Sequence, residues 1–309
     1  MIPGMGDSTA FDWLAAAHTP FDGAGDVALD VIEVQAEHLL RQGVKGVFVC
    51  GTTGEGLSLS VDERKQVAAR WEEVRRGTDL SLWVHVGANA LPEVRELARD
   101  AAEVGADAIA LMPPCFFRPE DEEHLVSWCA SVSEASGGMP MTVYEAPEMT
   151  GVRLDVERFI ELARVSVPGY RGLKYTDSNL TLFARLCDGL EEGEGMWWGR
   201  DEELQAGIAA GATGAIGSSY NFAGKVYEPV LATVEGGASE AAAAAQARGV
   251  SLIEVIAGYG YLGAAKAVME MLGVPLGPTR APLGNPDSLE RKRLQAELEE
   301  LGFFDWVAG

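Results

Sequence analysis

Cationic side chains are scarce: 24 Lys and Arg stand against 47 Asp and Glu, a formal net charge of −23 over 309 residues. Such a chain repels phosphate backbones and anionic lipid, which argues against nucleic-acid and membrane-surface roles and leaves small molecules or other protein chains as partners. Cysteine is scarcer still. Cys50, Cys115, Cys129 and Cys187 are widely spaced without a CxxC pair, the pattern of reduced thiols in an intracellular protein. The four histidines, His18, His38, His85 and His124, form no HxxxH pair and no cluster with cysteine, so no metal site is expected. Long apolar runs are missing as well: no stretch of about 18 uncharged apolar residues occurs. The N-terminal "MIPGMGDSTAFDW" has neither a basic start nor an apolar signal core, and the expected location is the cytoplasm.

What is present is the composition of a globular protein, 47% hydrophobic and 23% charged. The acidic residues fall mostly on predicted helix faces, as in "EVRELARDAAEVG", where a solvated surface accounts for them. Short apolar, β-branched runs alternate with stretches at helical spacing. The strand candidates are "WLAAAHT", "GVFVC", "LWVHVGA", "DAIALM", "MTVYEA", "YRGLKYT", "GMWWG" and "GAIGSS". Helix candidates between them include Val27 to Gln42, Val61 to Arg76, Pro92 to Val104 and Val156 to Val165. Eight strands each followed by a helix is the arithmetic of an α/β fold of the (β/α)8 TIM-barrel type, not of an open doubly wound sheet. From about Asn221 strand patterns give way to alanine-rich helical stretches, Ala238 to Ala257, Leu262 to Met271 and Asp287 to Leu301. The expected organisation is therefore a barrel over 1–220 carrying the site, with additional C-terminal helices over 221–309 packed on it. In a barrel, function belongs at the C-terminal ends of the strands.

Lysine occurs only six times, and five of the six fall on predicted helices, turns or strand beginnings. The exception is Lys174, near the end of the sixth strand. Side chains alternate along a strand, so Gly172, Lys174 and Thr176 share one face while Leu173 and Tyr175 share the other. If the apolar face meets the helices, the lysine enters the barrel mouth. Taking an ammonium out of water favours the neutral amine, and a neutral amine is the nucleophile of Schiff-base chemistry; a lysine paired with a nearby carboxylate is the competing explanation.

Other strand ends carry polar groups. Tyr144, in "YEAP", closes the fifth strand beside Lys174 and can relay protons or pack as a strand-end aromatic. "CGTTGEG", Cys50 to Gly56, follows the second strand; its backbone N–H groups and the hydroxyls of Thr52 and Thr53 suit a carboxylate, and it lacks the GK[ST] ending of a phosphate loop. It also fits a plain strand-to-helix turn. After the seventh strand, Asp201 in "GRDEE" is either a helix N-cap or a partner for sugar hydroxyls. In "GAIGSSYN" Gly217 lets a ligand approach the backbone and Ser218 offers a hydroxyl.

A "GTTGE" loop after the second strand, Y-x-x-P at the fifth and G-x-K at the sixth, in this order, resemble the dihydrodipicolinate synthase and N-acetylneuraminate lyase superfamily of class I aldolases. "GTTGEGLSLSVDERKQVA", "HVGA", "GLKYTDSNL", "GRDEELQAGIAAGATGAIGSSYN" and "GPTRAPL" are most similar to its N-acetylneuraminate lyase branch. The resemblance implies a homotetramer without metal or organic cofactor that cleaves N-acetylneuraminate to N-acetylmannosamine and pyruvate. It implies that Lys174 forms the Schiff base, Tyr144 transfers protons and Thr52 and Thr53 hold the keto-acid carboxylate. Thr176, Gly199, Asp201, Glu202 and Ser218 would then face the sugar hydroxyls. Met149 stands where dihydrodipicolinate synthases typically carry an arginine, and Phe116 where they carry a proton-relaying tyrosine. Glu145 and Glu148 depart from the lyase pattern; a carboxylate pointing into the pocket would repel a sugar acid. A sister aldolase or dehydratase acting on another 2-keto-3-deoxy sugar acid, a dihydrodipicolinate synthase-like enzyme and a non-catalytic keto-acid-binding barrel are the alternatives.

Overall fold

The computed structural model describes residues 11–237 and 239–308. All eight expected strands form: β1 (Asp12–Ala16), β2 (Gly46–Val49), β3 (Ser81–His85), β4 (Ala108–Leu111), β5 (Met141–Glu145), β6 (Tyr170–Tyr175), β7 (Gly195–Trp198) and β8 (Gly214–Gly217). They pair in parallel and in chain order, and β1 also pairs with β8, so the sheet closes into a barrel.

Helices alternate with the strands. After β1 comes α1 (Val31–Arg41), then α2 (Val61–Arg75), α3 (Leu91–Val104), α4 (Glu122–Ala135), the single turn α5 (Pro147–Thr150), α6 (Val156–Ser166), α7 (Leu180–Asp188), α8 (Leu204–Ala209) and α9 (Tyr220–Leu231). Their starts follow local chemistry. Ser60 and Glu63 form a reciprocal capping box on α2, while Asp121, Asp155 and Asn179 cap α4, α6 and α7. The expected helix from Val27 begins instead at Val31, because Val27 is drawn into an antiparallel bridge with Phe21.

After α9 come α10 (Thr233–Gly236), α11 (Glu240–Ala257), α12 (Tyr261–Met271), α13 (Ser288–Leu301) and α14 (Phe303–Val307). The expected start of α11, Ala238, lies outside the described residues; Ser239 caps the helix. α11 packs on α9 and on α12 and α13, which ties these helices to the barrel wall. No single helix among the described residues is long and apolar enough to cross a membrane, and α11 and α12, which pass such a test only together, are bent by 111°.

Strand alternation divides the apolar residues into two cores. Leu173, Tyr175, Val143 and Trp198 belong to the layer between strands and helices, whereas Phe48, Trp83, Tyr144, Trp197 and Ile216 fill the barrel itself. Trp83 and Trp197 meet edge to face at 4.9 Å, and the Trp197 indole donates to Asp12 at 3.0 Å. Asp12 opens β1, so this packing closes the N-terminal end of the barrel and leaves the other end as the open one.

Candidate active site

β6 is irregular where it matters. Its pairing with β5 shifts between Met141 and Thr142, opposite Tyr170 and Gly172, and Gly172 has φ +116°, with a Cβ there overlapping the Gly195 carbonyl. Only glycine takes that conformation and that close approach without strain. From Gly172 onward the register places Lys174 beside Tyr144 on one flank and Trp197 on the other, and the expected alternation holds. The Lys174 side chain enters the barrel, 5% exposed, with Nζ 4.0 Å from the Tyr144 ring centroid and 4.6 Å from that of Phe48. Among the described residues no carboxylate pairs with it: the ion pairs of the molecule lie elsewhere. A contact ion pair therefore does not account for this lysine, although its charge acts on the Asp201 carboxylate from farther off.

Tyr144, Thr176, Gly199, Asp201, Glu202 and Ser218 come together around one cavity of about 400 Å³. Gly199 leaves room for the lysine stem, since a Cβ at this position would lie 3.3 Å from Lys174 Cε. Thr176 donates to the Glu145 carbonyl at 2.7 Å. Asp201 does not cap a helix; its carboxylate crosses to the segment after β8, where Ser219 donates to Oδ2 through its N–H at 2.8 Å and its hydroxyl at 2.6 Å. A side chain at Gly217 would overlap Oδ1, and Oδ1 itself has no hydrogen-bond partner among the described residues. Burial pushes the Asp201 carboxyl up to about 6, against the Ser219 hydrogen bonds. Glu202 is exposed at the cavity edge.

Thr52 and Thr53 divide. Thr52 lines a second cavity of about 260 Å³, which shares Met149 with the first, and its hydroxyl is buried without a partner. Thr53 is 7% exposed and lines neither cavity. The loop that carries them is shaped by His85. Met112 N–H donates to its Nε2 at 3.1 Å, so the proton is on Nδ1, which lies 3.1 Å from the Cys50 carbonyl. Burial, with the charges of Arg64 and Lys174 nearby, holds this imidazole neutral well below the ordinary histidine range. His85 ends β3 on the same face as Trp83, a polar residue inside an apolar strand, the same sequence signal that marks Lys174. Tyr261 is a further cavity residue that sequence reasoning missed: it comes from α12 and its hydroxyl lies 2.8 Å from Ser218 Oγ.

The two unusual glutamates separate. Glu145 follows Tyr144 on β5 and therefore points to the opposite face, where it borders a small apolar cavity with Val143, Leu125 and Phe159; it does not enter the 400 Å³ cavity. Burial pushes its carboxyl up to about 7 from the ordinary 4.5, and Asp177 adds to the rise. The folded chain holds this proton more tightly than the unfolded one, so the contribution to stability is full below about 4.5 and is lost as pH rises through about 7. Glu145→Gln, which does not titrate, should gain about 2 kcal/mol over the parent at pH 8 relative to pH 5. Urea unfolding at the two pH values checks this, and equal gains at both would refute it. Glu148, by contrast, is exposed and lines the 400 Å³ cavity together with Arg200.

A closed β/α barrel with an unpaired lysine on its sixth strand beside a tyrosine on its fifth is the arrangement of the class I aldolase barrels that the motifs resemble. The chain belongs to the dihydrodipicolinate synthetase family, whose pattern it matches over residues 11–301. It is 37% identical over 294 residues to the N-acetylneuraminate lyase of Mus musculus, covering 94% of this chain and 92% of that one. The structure of Proteus mirabilis N-acetylneuraminate lyase superposes with a TM-score of 0.89 at 33% identity, covering 94% of this chain and 98% of the other. A dihydrodipicolinate synthase from Cyanidioschyzon merolae gives a TM-score of 0.87 at 26% identity, covering 96% and 99%.

Proposed function

We propose that this protein is a Schiff-base-forming carbon–carbon lyase that cleaves N-acetylneuraminate to N-acetylmannosamine and pyruvate. The observation that carries the reading is Lys174, buried with no carboxylate in ion-pair contact and packed against Tyr144, which lines a cavity of hydroxyl, carboxylate and backbone groups. The amine adds to the C2 carbonyl and water leaves, giving an iminium. Tyr144 takes the C4 hydroxyl proton, passing its own to the substrate carboxylate. The C3–C4 electron pair moves into the iminium, C4 becomes the aldehyde of the departing sugar, and a pyruvate enamine remains. Protonation at C3 and addition of water release pyruvate and restore the amine. Covalent catalysis divides one hard cleavage into easier steps.

Thr52 and Thr53 belong to the carboxylate end of this site, Thr52 through its unpartnered hydroxyl and Thr53 through its place in the loop backbone. Thr176, Gly199, Asp201, Glu202 and Ser218 face the sugar. Met149, 65% exposed at the rim, brings no guanidinium for a second carboxylate, and Phe116, 76% exposed, brings no phenol, which disfavours a dihydrodipicolinate synthase activity. Glu148 in the cavity lining favours one second reading, cleavage of another 2-keto-3-deoxy sugar acid. We further take the working form to be a cytoplasmic homotetramer with the helices from 221 onward as a layer on the barrel. The exposed pair Phe116 and Phe117, ring centroids 4.9 Å apart, offers another copy an apolar surface.

Borohydride reduction in the presence of pyruvate should add the mass of a reduced adduct to the Lys174 peptide. Cleavage rates across N-acetylneuraminate, 2-keto-3-deoxygluconate and related acids should then rank N-acetylneuraminate first. No adduct would reject the Schiff base, and a different leading substrate would select the second reading.

A further inference from the structure

Lys174 is not the only lysine withdrawn from water. Lys266, on α12, is 1% exposed. Its Nζ lies 2.8 Å from Glu55 Oε1, with both side chains 1% exposed, and it donates to the Pro278 carbonyl at 3.0 Å. The other Glu55 oxygen accepts the Arg280 N–H at 2.8 Å. Glu55 is the acidic residue of the "GTTGE" turn and has φ +53°, while Cys50, which opens that turn, has φ +57°. Neither is glycine. Two left-handed non-glycine residues in one short loop persist only where the surroundings over-determine them.

The surroundings do so from both ends. At Cys50 the His85 ring meets the carbonyl. At Glu55 the backbone N–H donates to Thr52 O at 3.0 Å, and the carboxylate is gripped by Lys266 and by the 278–280 segment. Thr19 adds a hydrogen bond to the Gly54 carbonyl at 2.6 Å. Removing two charges from water costs much of what their attraction returns, so a fully buried pair is weak as a source of stability and is better understood as fixing geometry. We infer that Lys266 and Glu55 are positioning residues that hold the Thr52–Thr53 turn in its keto-acid-binding conformation from the C-terminal helices. The role rests on the proposed keto-acid chemistry of the site, whereas the strap itself does not.

The pair has a charge-dependent element. Burial pushes the Lys266 ammonium down to about 8, opposed by Glu55 and aided by Arg280. The other titratable group beside it, His18 after β1, is held neutral down to about 3 by burial and by the Lys266 charge. Below about pH 8 Lys266 is charged and the grip is intact; above it the amine is neutral and the grip weakens.

Lys266→Met alone leaves a buried carboxylate unpaired and endangers the fold, so the decisive variant is the neutral pair Lys266→Met with Glu55→Gln. This double variant should fold and exchange the amide hydrogens of residues 50–56 at least about tenfold faster than the parent, the rest of the barrel being unchanged. The pyruvate concentration for half-maximal trapping, the apparent KM, should rise about tenfold, the loss of one buried ion pair's worth of positioning, with the maximal trapping rate within about twofold. The parent's KM should climb above pH 8, and the double variant's should not. Unchanged exchange in the 50–56 peptide overturns the strap. Faster exchange with an unchanged KM and a flat parental pH profile overturns the positioning role. Faster exchange in the double variant, with no pyruvate adduct gained by the parent, leaves the strap standing and rejects the Schiff-base reading instead.

Discussion

Replacing Lys174 with methionine should reduce turnover by about 10⁴-fold or more and abolish the pyruvate adduct, while leaving the protein no less stable than the parent. The two halves of this result come from one observation. The lysine stem lies between Phe48 and Tyr144, with Nζ 4.6 and 4.0 Å from their ring centroids and no carboxylate paired to it among the described residues. An amine so placed gives up water without an ionic partner, and methionine, similar in length and without charge, does not incur that cost. A residue kept for stability would behave oppositely, losing fold and function together. Activity assays and chemical denaturation of the one variant read both quantities. Turnover above about 1% of the parent would remove Lys174 from the chemistry.

Tyr144→Phe should lower kcat by about 10² to 10⁴-fold, the usual contribution of a positioned proton-transfer group, yet leave the reduced pyruvate adduct intact. The substitution deletes one oxygen and keeps the ring, so the edge contacts with Phe48 at 6.1 Å and His85 at 6.3 Å remain. Schiff-base formation with pyruvate requires no C4 proton transfer, whereas cleavage of the sugar acid does. Single-turnover cleavage and adduct mass, measured side by side, separate these steps. A kcat within about threefold of the parent would return the tyrosine to a packing role, and loss of the adduct would move its action to the first step.

The barrel was legible because each strand is a short apolar run bounded by turn residues, and because the alternation around Lys174 is intact from Gly172 to Thr176. The glycine two residues before the lysine stands in the G-x-K motif; its cause, a bulge packed against the β7 backbone, is tertiary and not legible along the chain. Glu145 was legible in the same way as Lys174, since adjacent strand residues face opposite sides, and the structure puts it behind the wall. Asp201 was ambiguous between cap and ligand because its true partner, Ser219, belongs to the segment after the next strand. Lys266 is illegible in the sequence for a related reason. In "YLGAAKAVMEM" a lysine at helical spacing reads as a solvated face, but Gly263 through Met269 are all buried and Glu55 lies far upstream.

The reach of α12 into both cavities, Tyr261 into one and Leu262 into the other, means that on the proposed reading the late helices also wall the vessel of the reaction. On the proposed reading the bond-breaking groups come from strands β5 and β6, while part of the cavity wall is written in a late stretch of the chain. Grafting that stretch from a relative with other tastes should therefore alter which sugar is accepted without disturbing how it is cut.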